Sequence, residues 1–283
     1  MRITRGGVSF APRFRPAMKQ EEQQTDLERR FGGLRRLYGD AGYARVRAAR
    51  VAVVGVGGVG SWAAEALARC GVASLTLIDF DHVAESNVNR QVQALGATLG
   101  MAKVQALAQR IADIHPGCVV HGVEQFADAD NWPGLLPQAV DAVIDACDQV
   151  RAKVVLASWA RAQRETAFVT VGAAGGKQLP QRVDVDDMAL ATHDPLLAAL
   201  RQRLRKDDAA PHKGALGVRC VFSREAVRRP DAACDVPLQR DLNCHGYGSS
   251  VMVTAAFGLA AASEVLQQLL VRTPETAVVA EPL

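Results

Sequence analysis

Short apolar runs alternate with helical stretches along the first two thirds of the chain. Arg50 to Val54 (RVAVV) predicts a buried strand, Gly55 to Gly60 a glycine turn, Ser61 to Cys70 a helix and Ala73 to Asp79 (ASLTLID) a second strand. Met101 to Ile114 has helical spacing and stops ahead of Pro116, and Cys118 to Val123 returns to a strand pattern. Ala139 to Ala146 (AVDAVIDA) predicts another strand, followed by a helix from about Val150 to Gln163. Thr166 to Val171 predicts a further strand, closed by Gly172 to Gly176. Strands separated by helices of this length imply crossover connections and a parallel sheet. Continuous Val/Ile-rich strands fit a sheet covered on both faces.

From about residue 177 the pattern changes. Gln181 to Asp187 and Gly217 to Ser223 read as strands flanking a charged helix, Pro195 to Lys206, so antiparallel additions are expected in this half. Arg224 to Gly248 shows no periodicity and reads as a long functional or mobile loop. Ser250 to Val271 is apolar enough to imitate a membrane span, but Gly258, Glu264, Gln267 and Gln268 interrupt it. A buried C-terminal helix, suited to a dimer interface, is the expectation, with no membrane partner. Residues 1–24 read as a disordered extension without a signal-peptide core. Residues 25–271 are expected to form one unit, and 272–283 a flexible tail.

Composition narrows the class. The 283 residues are 49% hydrophobic and 22% charged, which excludes a disordered chain. A net charge of +3 is too mild to decide for or against a nucleic-acid partner. The six cysteines form no Cys-x-x-Cys pair, so a four-cysteine zinc site has no local support, and reduced thiols in a cytoplasm are expected.

Candidate chemistry starts at the glycine turn. Gly55-Val-Gly57-Gly58-Val-Gly60 fits G-x-G-x-x-G between a strand and a helix. Such glycines allow a tight turn, close approach of a phosphate to backbone and close helix–strand packing. The helix that follows aims its free N–H groups and positive dipole end at an anion. Asp79 comes 19 residues after Gly60, at the end of the second strand, where a carboxylate accepts hydrogen bonds from ribose hydroxyls. The expected architecture is therefore α/β and Rossmann-like, with a nucleotide site. The motif alone does not choose between NAD, FAD and ATP.

The next segment argues for a triphosphate. Asp79-Phe-Asp81-His-Val-Ala-Glu-Ser-Asn87-Val-Asn89-Arg90-Gln91 is a dense polar loop just past a strand end, and Lys103 follows it. Asp145-Ala-Cys-Asp148-Gln-Val-Arg151 lies past another strand. Ligands bind outside the carboxyl ends of strands in open α/β sheets, so Asn87, Arg90, Lys103 and Asp148 are expected over the phosphates. Asp148 is a candidate for holding magnesium, which prefers oxygen ligands. It is equally a candidate N-cap for the helix at Val150, and the two roles are compatible.

GVGGVGSWAAEALARCGVASLTLIDFDHVAESNVNRQ, GMAKV and VIDACDQVRAK together resemble the ubiquitin-activating-enzyme-like adenylating superfamily, which includes the MoeB- and ThiF-type activators of sulfur-carrier proteins. The resemblance implies that Asp79 binds ribose, that Asn87, Arg90 and Lys103 contact ATP phosphates, and that Asp148 serves magnesium and the reacting carboxylate. Gly55, Gly57, Gly58, Gly60 and Asp81 join the nucleotide-binding set. It also implies a homodimer in which an N-terminal arginine reaches the neighbouring site. Gly33 stands where the second arginine of that Arg-x-x-Arg pattern belongs; Arg36 is the substitute, or else a helix-surface charge.

RFGGLRRLYG, DPLLAALRQRLRK, KGALGVRCVFSREAV and GYGSSVMVTAAFG extend the similarity toward the tRNA threonylcarbamoyladenosine dehydratase subfamily. That resemblance implies ATP-dependent cyclisation of threonylcarbamoyladenosine in tRNA, by adenylation of its threonyl carboxylate. It leaves open a monovalent cation and a cysteine desulfurase or sulfur-acceptor partner. Cys234 is the candidate reactive thiol, and Arg201, Arg203, Arg205, Lys206, Lys213, Arg219, Arg224, Arg228 and Arg229 are candidates for tRNA phosphate contact. The alternative is adenylation of a sulfur-carrier C-terminus. A nicotinamide oxidoreductase and a silent nucleotide-binding scaffold are the other readings to be separated from these.

Overall fold

In the computed structural model, residues 26–163, 165–207, 211, 213–228 and 247–271 are described. The expected extension, the tail, the centre of the long loop and with it Cys234 lie outside them. Two helices open the described chain, α1 (Leu27–Phe31) and α2 (Gly33–Ala48). The strands are β1 (Arg50–Val54), β2 (Ser74–Ile78), β3 (Val119–Val123), β4 (Ala142–Asp145), β5 (Ala167–Val171), β6 (Val183–Asp187) and β7 (Arg219–Ser223). The remaining helices are α3 (Gly60–Arg69), α4 (Lys103–Ile114), α5 (Val150–Ala162), α6 (Pro195–Asp207) and α7 (Val251–Val271).

The strands form one seven-stranded sheet in the order β3-β2-β1-β4-β5-β7-β6. Every pairing is parallel except β6 with β7. The antiparallel addition expected in the second half is therefore the single edge strand β6, and β7 extends the parallel sheet. Burial follows position: β2, β4 and β5 are buried throughout, whereas the edge strands β3 and β6 are largely half-exposed. The β6 sequence VDVDD fits an edge, since Asp184 pairs with Arg224 and Asp186 with Arg219, and such charges discourage a further strand from adding there.

One face of the sheet packs Leu75, Leu77, Ile144 and Val169 against Leu67 of α3, Leu107 of α4 and Phe257 and Val265 of α7. The other packs Val143, Phe168 and Phe222 against Leu156 of α5 and Leu197 and Leu200 of α6. The apolar C-terminal segment is thus a core helix, with Val253, Phe257, Ala261 and Val265 buried. It touches α3 through Gly258, where a Cβ would stand 2.5 Å from the Val59 carbonyl oxygen and 2.8 Å from Trp62 Cβ. α1 and α2 close the amino-terminal ends of the strands: Arg30 donates to the Asp113 and Ile114 carbonyls at the end of α4, Phe31 packs edge-on to His115, and Arg45 donates to the Leu270 carbonyl.

Gly258→Val drives a branched side chain into this helix crossing. The expected cost is about 1–3 kcal/mol, seen as a lower urea midpoint with an unchanged slope.

Candidate functional site

The strand order reverses direction between β1 and β4, since β2 and β3 lie to one side of β1 and β4 and β5 to the other. A crevice opens at such a point, outside the carboxyl ends of the strands. The turn after β1 and the turn after β4 form its two walls.

The first wall is the glycine turn. Gly55 has φ +83°, and a Cβ on it would stand 2.9 Å from both the Ala146 carbonyl oxygen and the Cys147 nitrogen. A Cβ on Gly60 would overlap the Gly55 carbonyl oxygen. These two glycines serve the turn and its packing. Gly57 differs: a Cβ there would find only the Gln91 side-chain amide, at 4.0 Å. Gly57 is therefore the place where a ligand can approach the backbone, next to the start of α3.

Asp79 ties this turn to β2. Its Oδ2 accepts the Val56 N–H at 2.8 Å and its Oδ1 the Asp81 N–H at 2.9 Å. Burial pushes its carboxyl above the usual carboxylate range, opposed by the nearby Lys103 charge and these two N–H donors. Lys103, itself buried, places Nζ 2.7 Å from Asp81 Oδ2 and 3.9 Å from Asp79 Oδ1. The polar loop brings up the rest. The Arg90 stem lies against Gly58, its guanidinium donates to the Ser86 carbonyl at 2.7 Å, and its own carbonyl accepts the Trp62 indole N–H at 2.9 Å. Asn87 turns inward, its Oδ1 accepting the Ala84 N–H at 3.1 Å and shaping the loop.

The second wall carries Asp148, half-buried between the end of β4 and the start of α5. Burial raises its carboxyl; its own N–H and the Lys153 and Lys103 charges pull it down, while Asp81 pushes it up. Asp148 thus shares the crevice with Asp81 and Lys103. The N-cap position of α5 belongs to Gln149, without a side-chain capping bond, so Asp148 is one residue too early to cap that helix.

Arg36 is exposed on α2, whose neighbours Arg30, Phe31 and Arg45 pack at the carboxyl ends of α4 and α7. Several basic candidates are already engaged: Arg201 donates to the Met188 and Ala191 carbonyls, Arg219 pairs with Glu264 and Asp186, Arg224 with Asp184 and Arg228 with Glu225. Arg203, Lys206 and Lys213 are exposed. The four described cysteines are unpaired, and burial pushes up the thiols of Cys118, to about 11, and of Cys220, to about 12.

Some site residues carried no sequence signal. Phe80 and Phe126, each about half exposed, meet with ring centroids 5.3 Å apart beside Asp79 and form an aromatic ledge. Gln93 Nε2 donates to the Val56 carbonyl at 2.9 Å from below the glycine turn, and its Oε1 is buried with no partner among the described residues. Lys177, Asp194 and Glu225 knit the loops past β5 and β7: Lys177 Nζ donates to the His193 and Glu225 carbonyls at 3.0 Å each, and Asp194 Oδ2 accepts the Ala173 N–H.

The open approach at Gly57 fits a nucleotide phosphate. Among the described residues no cluster of three His, Cys, Asp or Glu side chains forms a metal cage. Magnesium does not require one, because one or two carboxylates plus phosphate oxygens and water suffice.

Known proteins bear on this geometry. Residues 30–281 match the ThiF family. The tRNA threonylcarbamoyladenosine dehydratase of Escherichia coli K12 is 42% identical over 254 residues, covering 86% of this chain and 94% of that protein. The crystal structure of that E. coli dehydratase in complex with ATP aligns with a TM-score of 0.78 at 42% identity, over 87% of this chain and 96% of that one. Its complex with AMP gives a TM-score of 0.78 at 43% identity, with the same coverage.

The two kinds of glycine give opposite outcomes. Gly57→Ala is expected to leave the thermal midpoint unchanged while weakening nucleotide binding in a calorimetric titration. Gly60→Ala is expected to lower the midpoint itself.

Proposed function

The chain belongs to the ThiF family, and from that membership we propose that it uses ATP to activate the threonyl carboxylate of threonylcarbamoyladenosine in tRNA and to close it into the cyclic form. The observation that carries this reading is the crevice between β1 and β4, where the open backbone at Gly57, the Asp79–Asp81–Lys103 cluster and Asp148 meet. The E. coli protein that is 42% identical over most of the chain bears the dehydratase name and has been crystallised with ATP and with AMP.

A carboxylate is a poor electrophile because its leaving group would be oxide. Attack of the carboxylate oxygen on the α-phosphorus of ATP expels pyrophosphate and leaves a mixed anhydride with AMP. The carbamoyl group of the same nucleoside then attacks the activated carbonyl, a proton is released and AMP leaves. The product is lighter by one water, and no enzyme nucleophile takes part. Catalysis is then mostly positioning and charge stabilisation.

The residues divide that work. Asp79 keeps its Val56 and Asp81 N–H donors and offers its remaining lone pairs to the ribose hydroxyls, and the amides from Gly57 to Gly60 face the phosphates at the start of α3. Lys103 and Arg90 neutralise phosphate charge, Lys103 by turning from Asp81. Asn87 fixes the loop that delivers Arg90. Phe80 and Phe126 give the adenine ring a face to stack on. Asp148 would hold magnesium, whose charge offsets that of the phosphates. The reading extends to a homodimer, formed over the exposed Met252 and Leu259 of α7, in which Arg36 serves the neighbouring subunit. A monovalent cation has no assigned ligands in it. A sulfur-transfer partner would meet Cys234. Cytoplasmic localisation follows from the substrates.

Mass spectrometry of tRNA nucleosides after incubation with enzyme and ATP tests the reading. Loss of one water from threonylcarbamoyladenosine is expected; unchanged nucleosides with substrate tRNA and bound ATP would overturn it, and partner-dependent pyrophosphate exchange with a carrier ending in Gly-Gly would favour the rival. Asp148→Ala is expected to abolish the product in a folded protein. Phe126→Ala is expected to raise the KM for ATP on the order of tenfold, from lost stacking of about 1–3 kcal/mol, with a smaller change in kcat.

A further inference from the structure

Directly beneath the crevice lies an ion pair that no step above uses. Lys153 and Asp145 are both 0% exposed, with Nζ 3.1 Å from Asp145 Oδ2. Lys153 Nζ also lies 3.1 Å from Thr170 Oγ1, and the Thr170 hydroxyl donates to Asp145 Oδ2 at 2.6 Å. The other carboxylate oxygen, Oδ1, accepts the Cys147 N–H at 3.3 Å and the Cys147 thiol at 2.8 Å. One carboxylate therefore joins the end of β4 to β5, to the first turn of α5 and to the turn of residues 146–148.

We propose that Lys153, Asp145 and Thr170 form a positioning unit that holds this turn, and with it Asp148 and the floor of the glycine loop, in the geometry required for adenylation. The inference rests on the function proposed above. Three observations support it.

First, full burial of the Lys153–Asp145 pair is weak evidence of a stabilising role. Replacing such a pair with apolar residues of similar volume is often neutral or stabilising, because desolvation offsets the attraction. Fixing one local arrangement is a role that buried charge pairs fill in some proteins. Second, the turn it holds touches both walls. The Ala146 N–H donates to the Val54 carbonyl at 2.8 Å, and Ala146 and Cys147 supply the backbone atoms that leave no room for a Cβ on Gly55. Asp148 is the next residue. Third, none of the three side chains reaches the surface, so they act through the turn and do not touch substrate.

The test compares wild type, Thr170→Val, and the double variant Asp145→Asn with Lys153→Met, which removes the pair without leaving one charge buried alone. The readouts are thermal midpoint, kcat, KM, and ATP affinity by calorimetry with and without magnesium. The double variant is expected to keep its midpoint, to lose most of the gain in ATP affinity on adding magnesium, and to drop in kcat on the order of a hundredfold, as a displacement of about 1 Å can cause. Thr170→Val is expected to give a smaller fall in kcat of the same kind. Wild-type kcat with an intact magnesium response in the double variant would overturn the inference, as would an activity loss matching the unfolded fraction. If the double variant does not fold, Thr170→Val decides: unchanged kcat overturns the proposal. A wild-type protein that makes no cyclic nucleoside would refute the function itself, a result distinct from active enzyme with indifferent variants.

Discussion

The site depends on one close approach, that of the backbone at Gly60 to the backbone at Gly55. A methyl group at Gly60 would occupy the space of the Gly55 carbonyl oxygen, so α3 can start where it does only because that carbon is missing. Once the turn is that tight, the Val56 N–H falls within reach of Asp79, which carries the end of β2 into the same arrangement. The Gly55 N–H donates to the Ile78 carbonyl and the Ala146 N–H to the Val54 carbonyl, so three neighbouring strands end in register around the turn. Chemistry at this edge is built on backbone geometry first and on side-chain charge second.

Charge is then managed in two layers. In the crevice, Lys103 faces Asp81 and Asp79, and Arg90 rests on a carbonyl and on the Asn89 amide oxygen. These are partners that an incoming anion can replace. Deeper in, Lys153 with Asp145 and Lys177 with the His193 and Glu225 carbonyls are out of reach of water. Their partners are fixed, and they hold the loops on which the outer layer sits.

Much of this was legible in the sequence. RVAVV, ASLTLID and AFVTV announce central strands because a strand buried on both faces has few polar positions. The glycine turn and Asp79 are legible because their spacing is local. Phe80 and Phe126 are not: each is an ordinary exposed aromatic until the ends of β2 and β3 place them together. Lys153 reads as a surface charge on a helix, and only strand order buries it against Asp145 and Thr170. The ion pairs of Arg219 and Arg224 are hidden for the same kind of reason, since their acidic partners on β6 come from an antiparallel pairing that composition does not show. Asp148 missed its capping position by a single residue.

The placement of α7 also governs how the chain comes to be folded. α3 and α4 cover part of the face that carries Leu75, Leu77 and Ile144 early in synthesis, and the cover is completed only when Phe257, Ala261 and Val265 of α7 arrive. Throughout the synthesis of the residues between them, an apolar surface stays open on the nascent chain, and such surfaces invite aggregation. The last of the described helices to be made is thus the one that closes the core.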